Sequence, residues 1–254
     1  MRHDERIASA IDRARLSAWG TVELLDRASG GARNEVWFAL VNGERCVLRK
    51  STRSPAALAW ELDLVDAVRS IGLGAPAVVR TASGARTRGG VVVYRAMAGE
   101  PPRNAGDWRA VTRYLSTLHA AFPSPQQRPD FLSACDLLSV ETGGDVDFSA
   151  MPAEAVKRCR SAWARVCEQP RSIVHGDPGK RNILMTEDGV VLLDWDEARV
   201  DVPVFDLAAL PPEVSPLSEW ERWVAAQAAN AWEAAVSWRP EPEYARRRLS
   251  EVTA

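Results

Sequence analysis

Between Ile173 and Trp195 the chain sets three chemistry-bearing side chains in a pattern that leaves few folds open. His175-Gly176-Asp177-Pro178-Gly179-Lys180-Arg181-Asn182 is a polar loop with an Asn five residues after the Asp. Two β-like stretches follow, near 183–186 and 190–194, with Glu187-Asp188-Gly189 at the tip between them. The second closes on Leu192-Leu193-Asp194-Trp195, so another carboxylate stands twelve residues after Asn182. A hairpin returns its last residue to the level of its first, so Asp177, Asn182 and Asp194 can meet at the mouth of one cleft. Phosphoryl transfer needs such a set. One carboxylate orients the acceptor hydroxyl and takes its proton, while an amide and a second carboxylate hold magnesium on the phosphates. Alone, Asp177 reads as a turn residue and Asp194 as the start of a loop; together they point to a site.

Other chemistries find little support. The chain of 254 residues can bury a substantial core without staples. Its 32 basic and 34 acidic side chains leave a net charge of −2, without the basic footprint of a nucleic-acid binder. His3, His119 and His175 are scattered and no C-x-x-C pair exists, so no zinc site is expected. Cys46, Cys135, Cys159 and Cys167 show no framework spacing, which suits reduced thiols. No apolar run approaches a membrane span, and Met-Arg-His-Asp-Glu-Arg lacks the apolar core of a signal peptide, so a cytoplasmic protein is expected.

Along the chain, a helix over about 4–19 precedes β-like segments at 21–27, 35–41 and 45–50, the last two joined at Asn42-Gly43. Ser54-Pro55 opens a helix that ends near Ser70, and strands are expected near 77–82 and 90–95. Beyond Gly99 the pattern turns helical, at 106–121, 153–168, 218–238 and 241–252, interrupted by the hairpin and by a Pro/Ser/Gly-rich stretch at 123–152. The order predicts an α+β chain of two lobes: a small antiparallel sheet with one main helix over 1–98, then a larger, mostly helical lobe over 99–254.

These motifs resemble the aminoglycoside phosphotransferase family, small-molecule enzymes of the protein-kinase-like fold that also include choline, homoserine and fructosamine kinases. The loop motif H-G-D, four residues, N is matched by His175 to Asn182, the metal-binding Asp by Asp194, and a later buried Asp by Asp206 in Val204-Phe205-Asp206-Leu207-Ala208. The resemblance spans nearly the whole chain and implies ATP or GTP as donor, Mg2+ as cofactor and a small hydroxyl-bearing acceptor. It makes Asp177 the catalytic base and Asn182 and Asp194 the metal ligands. It gives His175 and Asp206 structural roles in the loop, and His119 a place in core packing. Gly30 and Gly31 match a nucleotide-covering loop, although two glycines between strands are otherwise a plain hairpin. Tyr94 to Met97 occupy the hinge that binds adenine.

Lysine is scarce, with only Lys50, Lys157 and Lys180, and this matters at the phosphate-binding position. In Cys46-Val47-Leu48-Arg49-Lys50, strand alternation lets only one of Arg49 and Lys50 face the site. The family's apolar-Leu-Lys pattern favours Arg49; a one-residue slip would favour Lys50. On the following helix Leu58, Leu62, Leu64, Val65 and Val68 form the apolar face, with Glu61 near its centre and Asp63 opposite. A buried Glu61 needs a basic partner, and Arg49 is in the right place.

The acceptor is not identified. Asp130, Asp136, Glu141, Asp145, Asp147 and Glu154 could form an acidic wall for a polycation, or simply a solvated insertion. Trp220, Trp223, Trp232 and Trp238 of the 218–238 helix could form a cage for quaternary ammonium, but the spacing of Trp220 and Trp223 favours packing. Asp196 could face the metal or cap a turn. A nucleotide-binding module without transferase activity is the alternative, raised by the Arg at the lysine position. A protein kinase is disfavoured by Gly176 and by the absence of Ala-Pro-Glu after Asp194.

Overall fold

The computed structural model describes residues 13–28, 34–122 and 125–253. Gly30 and Gly31, and the start of the expected first helix, lie outside the described residues. The chain forms two compact units. One runs through Ala67 and resumes over Ala75–Ala98; the other takes Val68–Gly74 and everything from Gly99.

In the first unit, α1 (Arg13–Leu16) continues into a 3-10 turn, Ser17–Trp19. Strands β1 (Val22–Arg27), β2 (Glu35–Val41) and β3 (Glu44–Lys50) precede α2 (Pro55–Ser70), and β4 (Thr87–Arg88) and β5 (Val91–Arg95) follow. The sheet order is β1-β2-β3-β5-β4, with every pair antiparallel. Asn42 and Gly43 both take positive φ at the β2–β3 turn, as an Asn-Gly hairpin requires. Period-two alternation then sorts the side chains of the sheet. Trp37, Ala39, Cys46, Leu48 and Val93 pack with Leu16 and Trp19 on one face, and Val92 packs with Leu58 and Leu62 of α2 on the other. Ser54 caps α2 by accepting from the Ala57 N–H.

The strand expected near 77–82 does not form. The Thr87–Arg88 strand already pairs with β5 opposite Val91 and Val92, so the 77–79 stretch meets only the far end of β5. Its contact is an isolated bridge, Val78 with Tyr94, supported by hydrogen bonds from Val79 to Val93 and from Arg95 to Ala77.

In the second unit, α3 (Ala105–Ala121) starts with a capping box between Asn104 and Asp107. A two-stranded ribbon, β6 (Thr142–Gly143) and β7 (Val146–Asp147), precedes α4 (Ala153–Ala164). Then come β8 (Ser172–Val174), the β9 (Ile183–Thr186) and β10 (Gly189–Leu192) hairpin, and β11 (Arg199–Asp201). The chain closes with α5 (Val204–Leu207), α6 (Glu219–Ser237) and α7 (Pro242–Ser250). Trp163 of α4 is the hub of the core, with Phe148 and Trp232 both about 6 Å from its ring. Strand β11 returns to pair with β8, a ladder that periodicity did not reveal because each strand has three residues. The loop between β8 and β9 and the turn between β10 and β11 are thereby drawn to one place.

Two expectations are corrected here. Cys135 and Cys167 form a disulfide with Cα atoms 5.4 Å apart, so only Cys46 and Cys159 of the four are free, both buried. Tertiary folding brings together two cysteines 32 residues apart, and no spacing motif marks such a pair. Trp220 and Trp223 do not pack the lobe: they are 65% and 36% exposed and stack on each other. Among the described residues, no helix is long and apolar enough to cross a membrane.

A cross-link closing a loop of this size removes unfolded-state entropy worth about 3.5 kcal/mol. Cys135→Ser should therefore lose about that much stability in urea unfolding, and reductant should bring the wild-type chain to the same value. An unchanged wild-type midpoint under reductant would contradict the bridge.

Candidate active site

The polar loop leaves β8 at His175 and enters β9 at Ile183. Its anchor is the wholly buried Asp206, carried on α5. Asp206 Oδ1 accepts from the Gly176 N–H at 2.9 Å, and Oδ2 accepts from the His175 N–H at 2.9 Å. His119 Nε2 of α3 is also 2.9 Å from Oδ2, so His119 serves the loop rather than only filling the core. Burial pushes the Asp206 carboxyl up, but the His119 hydrogen bond and charge, with help from the Gly176 N–H, outweigh it and hold the group below its ordinary value.

The His175 ring ties the loop to the β10 exit. Its Nε2 donates to the Leu193 carbonyl at 2.7 Å, and its Nδ1 accepts from the Asp177 N–H at 3.3 Å. A carbonyl only accepts and a backbone N–H only donates, so these partners fix one neutral tautomer. Gly176 is required as glycine. Its φ is +89°, and a Cβ would lie 2.6 Å from the Glu197 carbonyl oxygen, a backbone atom that cannot step aside.

Beyond this corner Asp177 is held by Asn182, whose Nδ2 donates to Asp177 Oδ2 at 2.7 Å and to its carbonyl at 3.0 Å. Asp177 keeps open access to solvent while protein crowds its other sides. That desolvation, followed by repulsion from Glu197, Glu233 and Asp194, pushes its carboxyl up to about 7. The Leu193 N–H donates to the Asn182 carbonyl at 2.8 Å, which sets Asn182 beside the residue before Asp194. Asp194 itself adopts a left-handed backbone (φ 53°, ψ 73°) and is exposed, whereas Asp196 is buried.

Among the described residues, no group of three or more His, Cys, Asp and Glu side chains forms a metal cage. The donor set suits a different arrangement. Asn182 commits its amide nitrogen to Asp177, leaving the amide oxygen, and Asp194 offers a carboxylate. Hard oxygens in small number suit Mg2+, which draws its remaining ligands from phosphates and water.

In the first unit, Arg49 lies on the α2 side of β3 and pairs with Glu61, the two being 5% and 0% exposed. The Arg49 guanidinium also stands 5.7 Å from the centre of the Tyr94 ring. Lys50 points to the other face and donates to the Gly89 carbonyl. Met97 is exposed. Three of the six acidic residues over 130–154 are paired with arginines: Asp136 with Arg171, Glu141 with Arg160 and Asp147 with Arg239. Trp223 already carries the Arg165 guanidinium at 5.2 Å, which is not an open cage.

A model of the phosphotransferase enzyme family matches residues 25–249, most of the chain. The chain belongs to this family. As a phosphotransferase it shares the two-lobed, protein-kinase-like fold of solved small-molecule kinases. A microcompartment-associated aminopropanol kinase aligns at 15% identity and TM-score 0.64, over 98% of this chain and 94% of its own. An aminoglycoside phosphotransferase, a thermostable mutant in apo form, aligns at 17% identity and TM-score 0.64, over 95% and 97%. An amicoumacin kinase in complex with AMP-PNP, Ca2+ and Ami aligns at 15% identity and TM-score 0.62, over 97% and 87%. No curated protein matches the phosphotransferase.

Several residues of the site escaped the sequence. Glu233 of α6, whose Oε2 accepts from the Tyr244 hydroxyl at 3.0 Å, lies near enough to raise Asp177. Nothing local marks either residue, because the contact joins two helices. Gln127 and Arg128 are equally hidden in a Pro- and Ser-rich stretch.

Asp206→Asn tests the anchor. Whichever way an amide turns, its NH2 faces a buried backbone N–H, so a loss of about 3 kcal/mol is expected. The depressed carboxyl contributes stability above its ordinary range and loses it as pH falls through the folded value. The gap between wild type and variant in urea unfolding should be full at pH 7 and narrow below about pH 4. An equal gap at both would contradict the assignment.

Proposed function

We propose that this phosphotransferase moves the γ-phosphoryl group of ATP or GTP to a hydroxyl of a small molecule, with Asp177 as catalytic base. The observation that carries this reading is the hydrogen bond from Asn182 to Asp177, in a loop whose Asn182 carbonyl also accepts from Leu193, the residue before Asp194. Asp177 orients the acceptor hydroxyl and takes its proton. Its raised carboxyl, near 7, suits a base that must accept and release a proton near neutrality. Asn182 Oδ1 and the Asp194 carboxylate hold Mg2+, which neutralises phosphate charge when bound.

In the first unit Arg49, fixed by Glu61, contacts the donor's α/β-phosphates with a planar fork where relatives use a lysine. Gly30 and Gly31 cover the phosphates, and the Tyr94–Met97 segment receives the adenine. The carboxylates of Glu197 and Glu233 around Asp177 favour an acceptor that carries positive charge. The similar kinases named for aminopropanol and an aminoglycoside agree with an amine-bearing alcohol.

Asp177→Asn keeps the size and the Asn182 contact but removes the base. Turnover should fall by about 10²–10⁴-fold, while binding of a non-hydrolysable ATP analogue stays within about two-fold. Acceptor-dependent ATP consumption and calorimetric titration measure the two, and unchanged turnover would remove Asp177 from its role.

A further inference from the structure

The turn that follows Asp194 is held from behind by a residue with no assigned role. Arg128 is only 1% exposed, and its guanidinium lies 4.4 Å from the centre of the Phe131 ring. Its Nη1 donates to the Asp196 carbonyl at 2.7 Å and to the Ala198 carbonyl at 3.2 Å, with the Trp195 carbonyl at 3.5 Å. One cation thus gathers the carbonyl ends of the 3-10 turn Trp195–Glu197 that starts from Asp194. Between the two closest acceptors lies Glu197, whose carbonyl sits against Gly176, next to Asp177. The adjacent Gln127 clamps the strand beyond the turn instead, with Nε2 donating to the Val200 carbonyl and Oε1 accepting from the Val200 N–H, both at 2.9 Å, and from the Arg128 N–H at 2.8 Å.

We infer that Arg128 is a positioning residue, which fixes the left-handed backbone at Asp194 and so the placement of its carboxylate as a metal ligand. Charge-assisted hydrogen bonds to carbonyls are stronger than neutral ones, and here they are shielded from water. Without them a non-glycine residue with φ 53° has less to hold it there. Gln127 differs in consequence. It clamps β11 beyond the turn and touches none of the carbonyls that Arg128 gathers.

The inference rests on Asp194 being a metal ligand, and the experiment separates the two. Mn2+ binding to the enzyme with a non-hydrolysable ATP analogue is measured by electron paramagnetic resonance, without turnover. Supporting residues behind metal ligands typically affect metal affinity by about 10–100-fold. Arg128→Met and Arg128→Lys should therefore weaken Mn2+ by about 10–100-fold, the Lys variant less. Gln127→Ala should lower the unfolding midpoint yet keep Mn2+ affinity within two-fold. Should the Met variant fail to fold, the Lys variant, which keeps the charge and the stem, carries the test. Mn2+ affinity within two-fold of wild type for Arg128→Lys would overturn the inference, provided Asp194→Asn weakens binding. Unchanged affinity in Asp194→Asn would overturn both the inference and the reading it rests on. Equal losses in Gln127→Ala and Arg128→Lys would reduce Arg128 to a general strut and overturn the inference as well.

Discussion

Everything the site does depends on one buried carboxylate. Asp206 has no access to water, and its two oxygens collect the N–H groups of His175 and Gly176 and the imidazole of His119. A carboxylate in such a place is tolerable only because it is saturated with donors. In return it immobilises the backbone just before Asp177. His175 passes that order on to the Leu193 carbonyl, and Leu193 passes it to Asn182. The candidate residues Asp177, Asn182 and Asp194 are exposed or half-buried, yet each hangs from a buried frame. Such preorganisation is what catalysis by positioning and electrostatics requires.

Closure of the frame comes from topology. Strand β8 leads into the loop, the β9–β10 hairpin returns the chain to Asp194, and β11 pairs back onto β8. The circuit is sealed where Gly176 meets the Glu197 carbonyl, a contact no side chain would permit. In the first unit the same economy applies to Arg49 and Glu61. Alternation along β3 turns Arg49 toward α2 and Lys50 away, and each buried partner is the other's counter-ion.

What could be read from the amino-acid order was what is local. Asp177, Asn182 and Asp194 are joined by a short loop and a hairpin, so spacing and turn chemistry predict their meeting. The 3.6-residue period places Glu61 on the buried face of its helix, while alternation along the strand leaves Arg49 and Lys50 open and the family resemblance favours Arg49. What could not be read depends on partners far apart in the chain. His119 and Asp206 are separated by 87 positions, and Arg128 and the carbonyls it gathers by 67 to 70. The Cys135–Cys167 bridge and the Tyr244–Glu233 contact carry no spacing signal for the same reason. Trp220 and Trp223 depart from the packing their spacing favours: the rings stack on each other and stay exposed, with Arg165 over Trp223.

The central claim is that this family member transfers a phosphoryl group to an alcohol through the Asp177 site. The direct measurement is 31P NMR of ATP and Mg2+ with enzyme and a panel of amino alcohols, aminoglycosides, sugars and nucleosides. ADP and a new phosphomonoester appearing in equal amounts with one class of acceptor is the expected result. ATP consumed to inorganic phosphate alone, or not consumed with any member of the panel, would contradict it.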